Sequence, residues 1–210
     1  MARFFLPKEK IHGDRGVIDG QELAHLSRVL RLRAGDSVTL DGIVYGLRDA
    51  TLIRMFDQRV TPPVDLTGAV VLHTAPNVVR APDGSYAPLS VGTTTSMRMD
   101  RFTRPLLDRH GVRAIIGKGG LSSESLAAFG QHGAVYLAIT GGAAALETVQ
   151  IEAIEAVWWE DLMPECLWRF RVGSLGPLVV AMDAAGGDLY ADVLASVQQR
   201  LAAIHAKLGL

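Results

Sequence analysis

One cysteine in 210 residues, Cys166, leaves no partner for an internal disulfide and too few thiolates for a zinc knuckle or an iron–sulfur cluster. The fold must rest on its core, and the chain is long enough to bury one. A lone cysteine also fits a reducing, cytoplasmic setting. An excess of one charge is missing too: 21 Lys and Arg stand against 22 Asp and Glu, a formal charge of -1. Without the basic footprint that a phosphate backbone selects, nucleic acid is not the expected partner. No apolar run approaches the roughly 20 residues of a membrane span, and MARFFLPKEK turns polar too early for a signal peptide, so the expectation is a soluble protein with no membrane partner. The six histidines are scattered, with no His, Cys and carboxylate cluster at ligand spacing, so no metal site is assigned. GxGxxG and GxxxxGK phosphate loops are absent, and the glycines of ITGGAAAL more readily serve tight helix-to-sheet packing.

What is present is an alternation of strands and short helices. SVTLDGIVY, Ser37 to Tyr45, predicts a strand or a bent strand pair, and LRDATLIRMFDQ spaces Leu47, Leu52, Met55 and Phe56 as a helix with Arg48 and Asp49 at its first turn. GAVVLHTA predicts a strand buried on both faces, with His73 as a core histidine. Pro76 to Leu89 reads as a mobile loop with Asp83-Gly84 as a turn. VRAIIG, AVYLAIT and PLVVAMDAAGG predict further strands, SSESLAAFGQHG a capped helix, and Leu189 to Leu208 an amphipathic terminal helix. Trp158, Trp159 and Trp168 flank EDLMPECL as core or interface anchors. The fold class is α/β, with a mixed sheet and flanking helices, and its ligands belong where loops leave the strand ends.

The stretch GTTTSMRMDRFTRPLLDRHGVRAIIGKGG, Gly92 to Gly120, gathers hydroxyls, Arg98 and Lys118 at element ends. With Arg48 they make three cations with few nearby acids, a set suited to a small dicarboxylate or a phosphorylated compound. The alternative is pairing of Arg48 with Asp49 or Asp57, and of Arg98 with Asp100. Lys118 lies at a strand end beside Gly119, which lets backbone and ligand approach closely. One of Thr94, Thr95 and Ser96 is expected to cap the following helix, with Thr103 as a fresh cap before Pro105; the remaining hydroxyls could orient a carboxylate.

These motifs carry a resemblance. VGTTTSMRMD, IIGKGG, GGAAAL, EDLMPECLW and PLVVAMDAAGGDLY, with LRDA upstream, resemble the β subunit of L(+)-tartrate dehydratase and the C-terminal region of class I fumarate hydratases, from about Gly35 to about Asp192. The resemblance implies a swivelling β/β/α domain over residues 35–192, followed by a C-terminal helix, 193–210. It also implies a hydro-lyase acting on tartrate, malate or fumarate, and a partner α subunit bearing a 4Fe-4S cluster that this chain does not hold. Arg48, Arg98 and Lys118 become the cations that grip substrate carboxylates, with Thr95 and Gly119 beside them, and Thr94 becomes the base. The chain departs from the family pattern at Thr93, where GPTTS usually has proline, at Thr51-Leu52, where an Ala-His pair is common, and at Leu162-Met163, which lacks a glycine. A non-catalytic module that binds an anion, RNA or protein is the alternative.

The front end reads differently. MARFFLPKEKIHGD and LAHLSRVLRLRAGDSVTLDG resemble the PUA-like domain of ribosomal-RNA uridine methyltransferases. Residues 1–34 are accordingly taken as an N-terminal extension with a basic bias.

Overall fold

A computed structural model describes residues 3–5, 18–19, 29–139 and 148–208. Two short strands, β1 (Arg3–Phe5) and β2 (Ile18–Asp19), pair antiparallel, and β1 joins β3 (Ser37–Leu47) at Thr39 and Leu40. β3 is one continuous strand, and its alternation buries Val38, Leu40 and Val44 on one face. Helix α1 (Asp49–Phe56) follows and buries Leu52 and Met55, each worth about 1.5–3 kcal/mol of apolar transfer. Next comes β4 (Val70–His73), fully buried as the run VVLH requires. β4, β7 (Ala114–Gly117) and β8 (Val135–Ala138) continue the parallel order begun by β3. Helices α2 (Thr103–His110) and α3 (Ser123–His132) provide the crossovers, each stopped by a glycine in the left-handed region, Gly111 and Gly133.

The segment Pro76 to Leu89, expected as a mobile loop, is a hairpin of β5 (Asn77–Arg80) and β6 (Tyr86–Ser90). Its Asp83-Gly84 turn is as expected, with Asp83 accepting from the Ser85 N–H at 2.9 Å. The prolines that pointed to a loop are accommodated because the hairpin is a separate two-stranded sheet, where a missing ladder donor can face outward.

β9 (Ile151–Trp158) and β10 (Leu167–Met182) complete the sheet of eight strands among the described residues. β10 begins ten residues before the predicted PLVVAM strand. Ser174 and Gly176, both at positive φ, introduce two register shifts without ending it. Val179 pairs with Ser37 of β3 on one side and Ala138 of β8 on the other, so β3, β4, β7, β8 and β10 close a ring. Val44, Leu72, Ile116, Leu137, Trp168 and Phe170 fill one side of this sheet. Val71, Ile115 and Tyr136 point the other way and meet Leu52, Met99, Leu106 and Phe129 from the helical layer. Trp168 is a core anchor, stacked on Phe170 and edge-on to Tyr86.

The terminal helix α4 (Leu189–Leu208) forms where its pattern predicts, but Val193, Leu194, Val197, Leu201, Ile204 and Leu208 remain 45–67% exposed. No helix of the described residues is long and apolar enough to cross a membrane. GGAAAL and most of the basic N-terminal segment lie outside the described residues.

Candidate active site

The loops leaving β3, β4 and β7 at their C-terminal ends meet in a cleft of about 370 Å³, the place where parallel α/β sheets bind ligands. Arg48, Thr94 and Lys118 line it, together with Asn77 and Ser90 from the hairpin, Gly92, Thr93 and Pro164. Three of the six residues singled out in the sequence therefore converge on one concavity. Arg48 comes from the turn between β3 and α1, Thr94 from the strand-like stretch after the hairpin, and Lys118 from the end of β7.

Local pairing explains how these stretches are held. The Thr94 N–H donates to the His73 carbonyl at 3.0 Å, and Thr74 bridges Thr93 in antiparallel fashion. Thr95 forms a parallel bridge to Lys118, and the Ser96 N–H donates to the Lys118 carbonyl at 2.9 Å. The segment 93–96 thus lies as an extended strap across the ends of β4 and β7. Gly119, at φ +78, makes the turn after Lys118 in a conformation that L side chains rarely adopt.

The capping expectation is corrected by this geometry. Ser96–Phe102 is a 3₁₀ helix, Thr95 makes no side-chain cap bond, and the position before α2 is Phe102 instead of Thr103. The hydroxyls are released from capping because the strap engages their backbone, leaving Thr94 at the cleft and Thr95 exposed.

Arg48 uses its Nε against Asp49 Oδ2 at 3.1 Å and Glu165 Oε1 at 3.2 Å. The pairing with Asp49 expected of a surface arginine therefore coexists with a place in the cleft wall. Arg98 is 54% exposed and stands outside that wall, its Nη2 at 3.2 Å from Asp49 Oδ1. Asp100 does not pair with it; that carboxylate instead accepts from the Ser122 and Ser125 hydroxyls and holds the start of α3. Asp49 consequently sits between the two arginines.

Several contributors were not singled out in the sequence. Glu165 orients Arg48, accepts the Ala50 N–H at 2.8 Å, and takes the Thr51 hydroxyl on its carbonyl. This gives Thr51 a structural task where the family pattern has alanine. Asn77 and Ser90 are paired across the hairpin and present uncharged polar groups to the cleft. The run of β-branched residues in NVVR was the available signal for that hairpin. Thr93, in place of the family's proline, has a buried hydroxyl without a hydrogen-bond partner.

A family model described as Fumarase C-terminus matches residues 6–193. The chain belongs to the Fumarase C-terminus family. The L(+)-tartrate dehydratase subunit beta of Escherichia coli strain K12 is 36% identical over 162 residues, covering 77% of this chain and 80% of that protein. A Methanocaldococcus jannaschii protein provisionally named as the same subunit is 35% identical over 178 residues, covering 82% and 91%. A Geobacillus stearothermophilus protein provisionally named as a class I fumarate hydratase is 35% identical over 192 residues, 90% of this chain but 36% of its own length. The family match takes in all six candidate residues, and it also takes in the front segment from residue 6 that resembles a PUA-like domain.

Proposed function

We propose that this chain is the β-type subunit of a hydro-lyase that adds or removes water on a small dicarboxylate such as tartrate, malate or fumarate. The observation that carries the reading is the convergence of Arg48, Lys118 and Thr94 on one small cleft in a chain of this family. A planar guanidinium and a compact ammonium in one cleft suit two carboxylates of a short substrate. Thr94 lines the same cleft, where the cationic field favours an ionised hydroxyl able to take a carbon-bound proton. Arg98 joins the site by exchanging Asp49 for a substrate carboxylate; an exposed ion pair of this kind is worth only about 0–1 kcal/mol, so the exchange costs little. Thr95 and Gly119 keep the strap and the Lys118 turn within reach of the substrate.

The relatives' names include a subunit designation, which supports assembly with a partner subunit. An iron–sulfur cluster on that partner would supply the Lewis acid for the departing hydroxyl. The residues of this chain do not fit one, because its one cysteine, Cys166, is buried, with a thiol that burial pushes up to about 11. The mixed sheet and helical layer support a β/β/α body that swivels over the partner and closes the cleft.

Anaerobic co-expression with a cluster-bearing α chain, followed by absorbance assays of water loss from tartrate and malate, tests the proposal. Lys118→Ala and Arg48→Ala are expected to lower kcat/KM by roughly 10²-fold or more. Thr94→Ala is expected to lower kcat more than it raises KM. Full turnover in the first two variants would remove the site, and a pure KM effect in the third would leave Thr94 as a binding group.

A further inference from the structure

Three polar side chains behind the cleft, His73, Ser96 and Tyr136, are only 1%, 0% and 0% exposed. His73 Nδ1 lies 3.0 Å from Ser96 Oγ, and the Tyr136 hydroxyl donates to the Gly119 carbonyl at 2.8 Å. Their backbones are tied to the site as well: the His73 carbonyl takes the Thr94 N–H and the Ser96 N–H goes to the Lys118 carbonyl. Room for this cluster is made by Gly117, where an added Cβ would overlap the Ser96 hydroxyl and stand 2.9 Å from that of Tyr136.

Counting protons gives the cluster a direction. Tyr136 donates its only hydroxyl proton to the Gly119 carbonyl, and burial raises its pKa, so the phenol keeps that proton. The partnered ring nitrogen of His73 is Nδ1, facing Ser96 Oγ, which places the imidazole proton on Nδ1 and makes the serine hydroxyl its acceptor. Burial keeps this ring neutral, its pKa pushed down to about 4. Nε2 is then a bare lone pair, and it is the ring nitrogen that has no hydrogen-bond partner. An unpaired acceptor is the less costly of the two groups to bury.

We propose that His73, Ser96 and Tyr136 are positioning residues, two buried ties in which Nδ1–H holds Ser96 on the strap and the Tyr136 hydroxyl holds the Gly119 carbonyl, fixing the Lys118 turn against Thr94. The inference deepens the functional reading above and rests on it for the role of Lys118. The two ties hold the ammonium by its backbone, so loss of either lets the turn shift while the sheet beneath keeps its pairing.

Three measurements test this. Nitrogen-15 spectra of the imidazole in the full chain are expected to show a neutral ring protonated on Nδ1, and Tyr136→Phe is expected to speed amide exchange at Ser96 at least tenfold with Ile115 and Ile116 unchanged. A ring protonated on Nε2, or no local change in exchange, overturns the proposal whether or not the assembled protein has dehydratase activity. In the assembled enzyme, His73→Asn, whose amide nitrogen stands near the Nδ1 position, should retain at least a third of wild-type kcat/KM. His73→Gln, which matches the volume better but reaches toward Nε2, should lose at least tenfold. The opposite ranking would assign His73 to space filling and overturn the proposal. An inactive wild-type assembly would instead refute the functional reading, with the spectra still deciding the positioning role.

Discussion

Asp49 shows how a single carboxylate can serve two cations. It meets Arg48 Nε and Arg98 Nη2 through different oxygens, so the arginines share one counter-ion, which the proposed dicarboxylate would replace. His73 acts on stability instead. Its folded pKa, about 4, lies below the ordinary value of 6.5, so between these values the unfolded chain binds the extra proton and stability rises with pH. Acidification from pH 7 to pH 4 is therefore expected to cost on the order of 3 kcal/mol through this residue. Denaturant unfolding of the wild type and His73→Asn across that range checks it: the difference in slope should vanish above about pH 6.5, where both states hold a neutral ring.

At the scale of elements, helix α1 begins without a side-chain cap of its own, since Arg48 occupies that position. Glu165, 115 residues away, accepts the Ala50 N–H in its place. Glu165→Ala is expected to destabilise the fold by about 1–2 kcal/mol, the usual size of a lost cap, and to weaken dicarboxylate binding by freeing Arg48. Chemical denaturation and calorimetric titration with tartrate separate the two effects. This contact also marks where sequence reasoning stops. The helix itself was legible, because Leu52 and Met55 fall three apart and both are buried. So were β4, β7 and β8, whose apolar runs need no knowledge of the partner strand. Arg48, Lys118 and Thr94 were legible as a cation and hydroxyl set through their motifs, and the cleft unites them. Glu165, Asn77 and Ser90 were not, since their tasks depend on contacts made across the chain and leave no local spacing to read. The hydroxyls at 94–96 misled for the opposite reason: a local cap was the nearest partner in sequence, but the neighbouring strands took the backbone first.

For the molecule as a whole, α4 contributes little to the core, because its apolar positions after residue 192 are exposed. A chain ending at Asp192 is expected to melt within about 4 °C of the full-length protein, the shift that roughly 1 kcal/mol produces at this size. A larger drop by calorimetry would show that the helix carries part of the fold. The ring of five strands has a different dependence on the far end of the chain. On the edge away from β1 and β4, β3 finds its partner only in residues 168–179, so that edge has no lasting partner while the intervening chain is being made. During synthesis this edge of β3 waits, open to other chains, until Met182 has left the ribosome tunnel; contacts of such long sequence separation also slow folding. The growing chain, more than the finished one, is where this protein is exposed to aggregation.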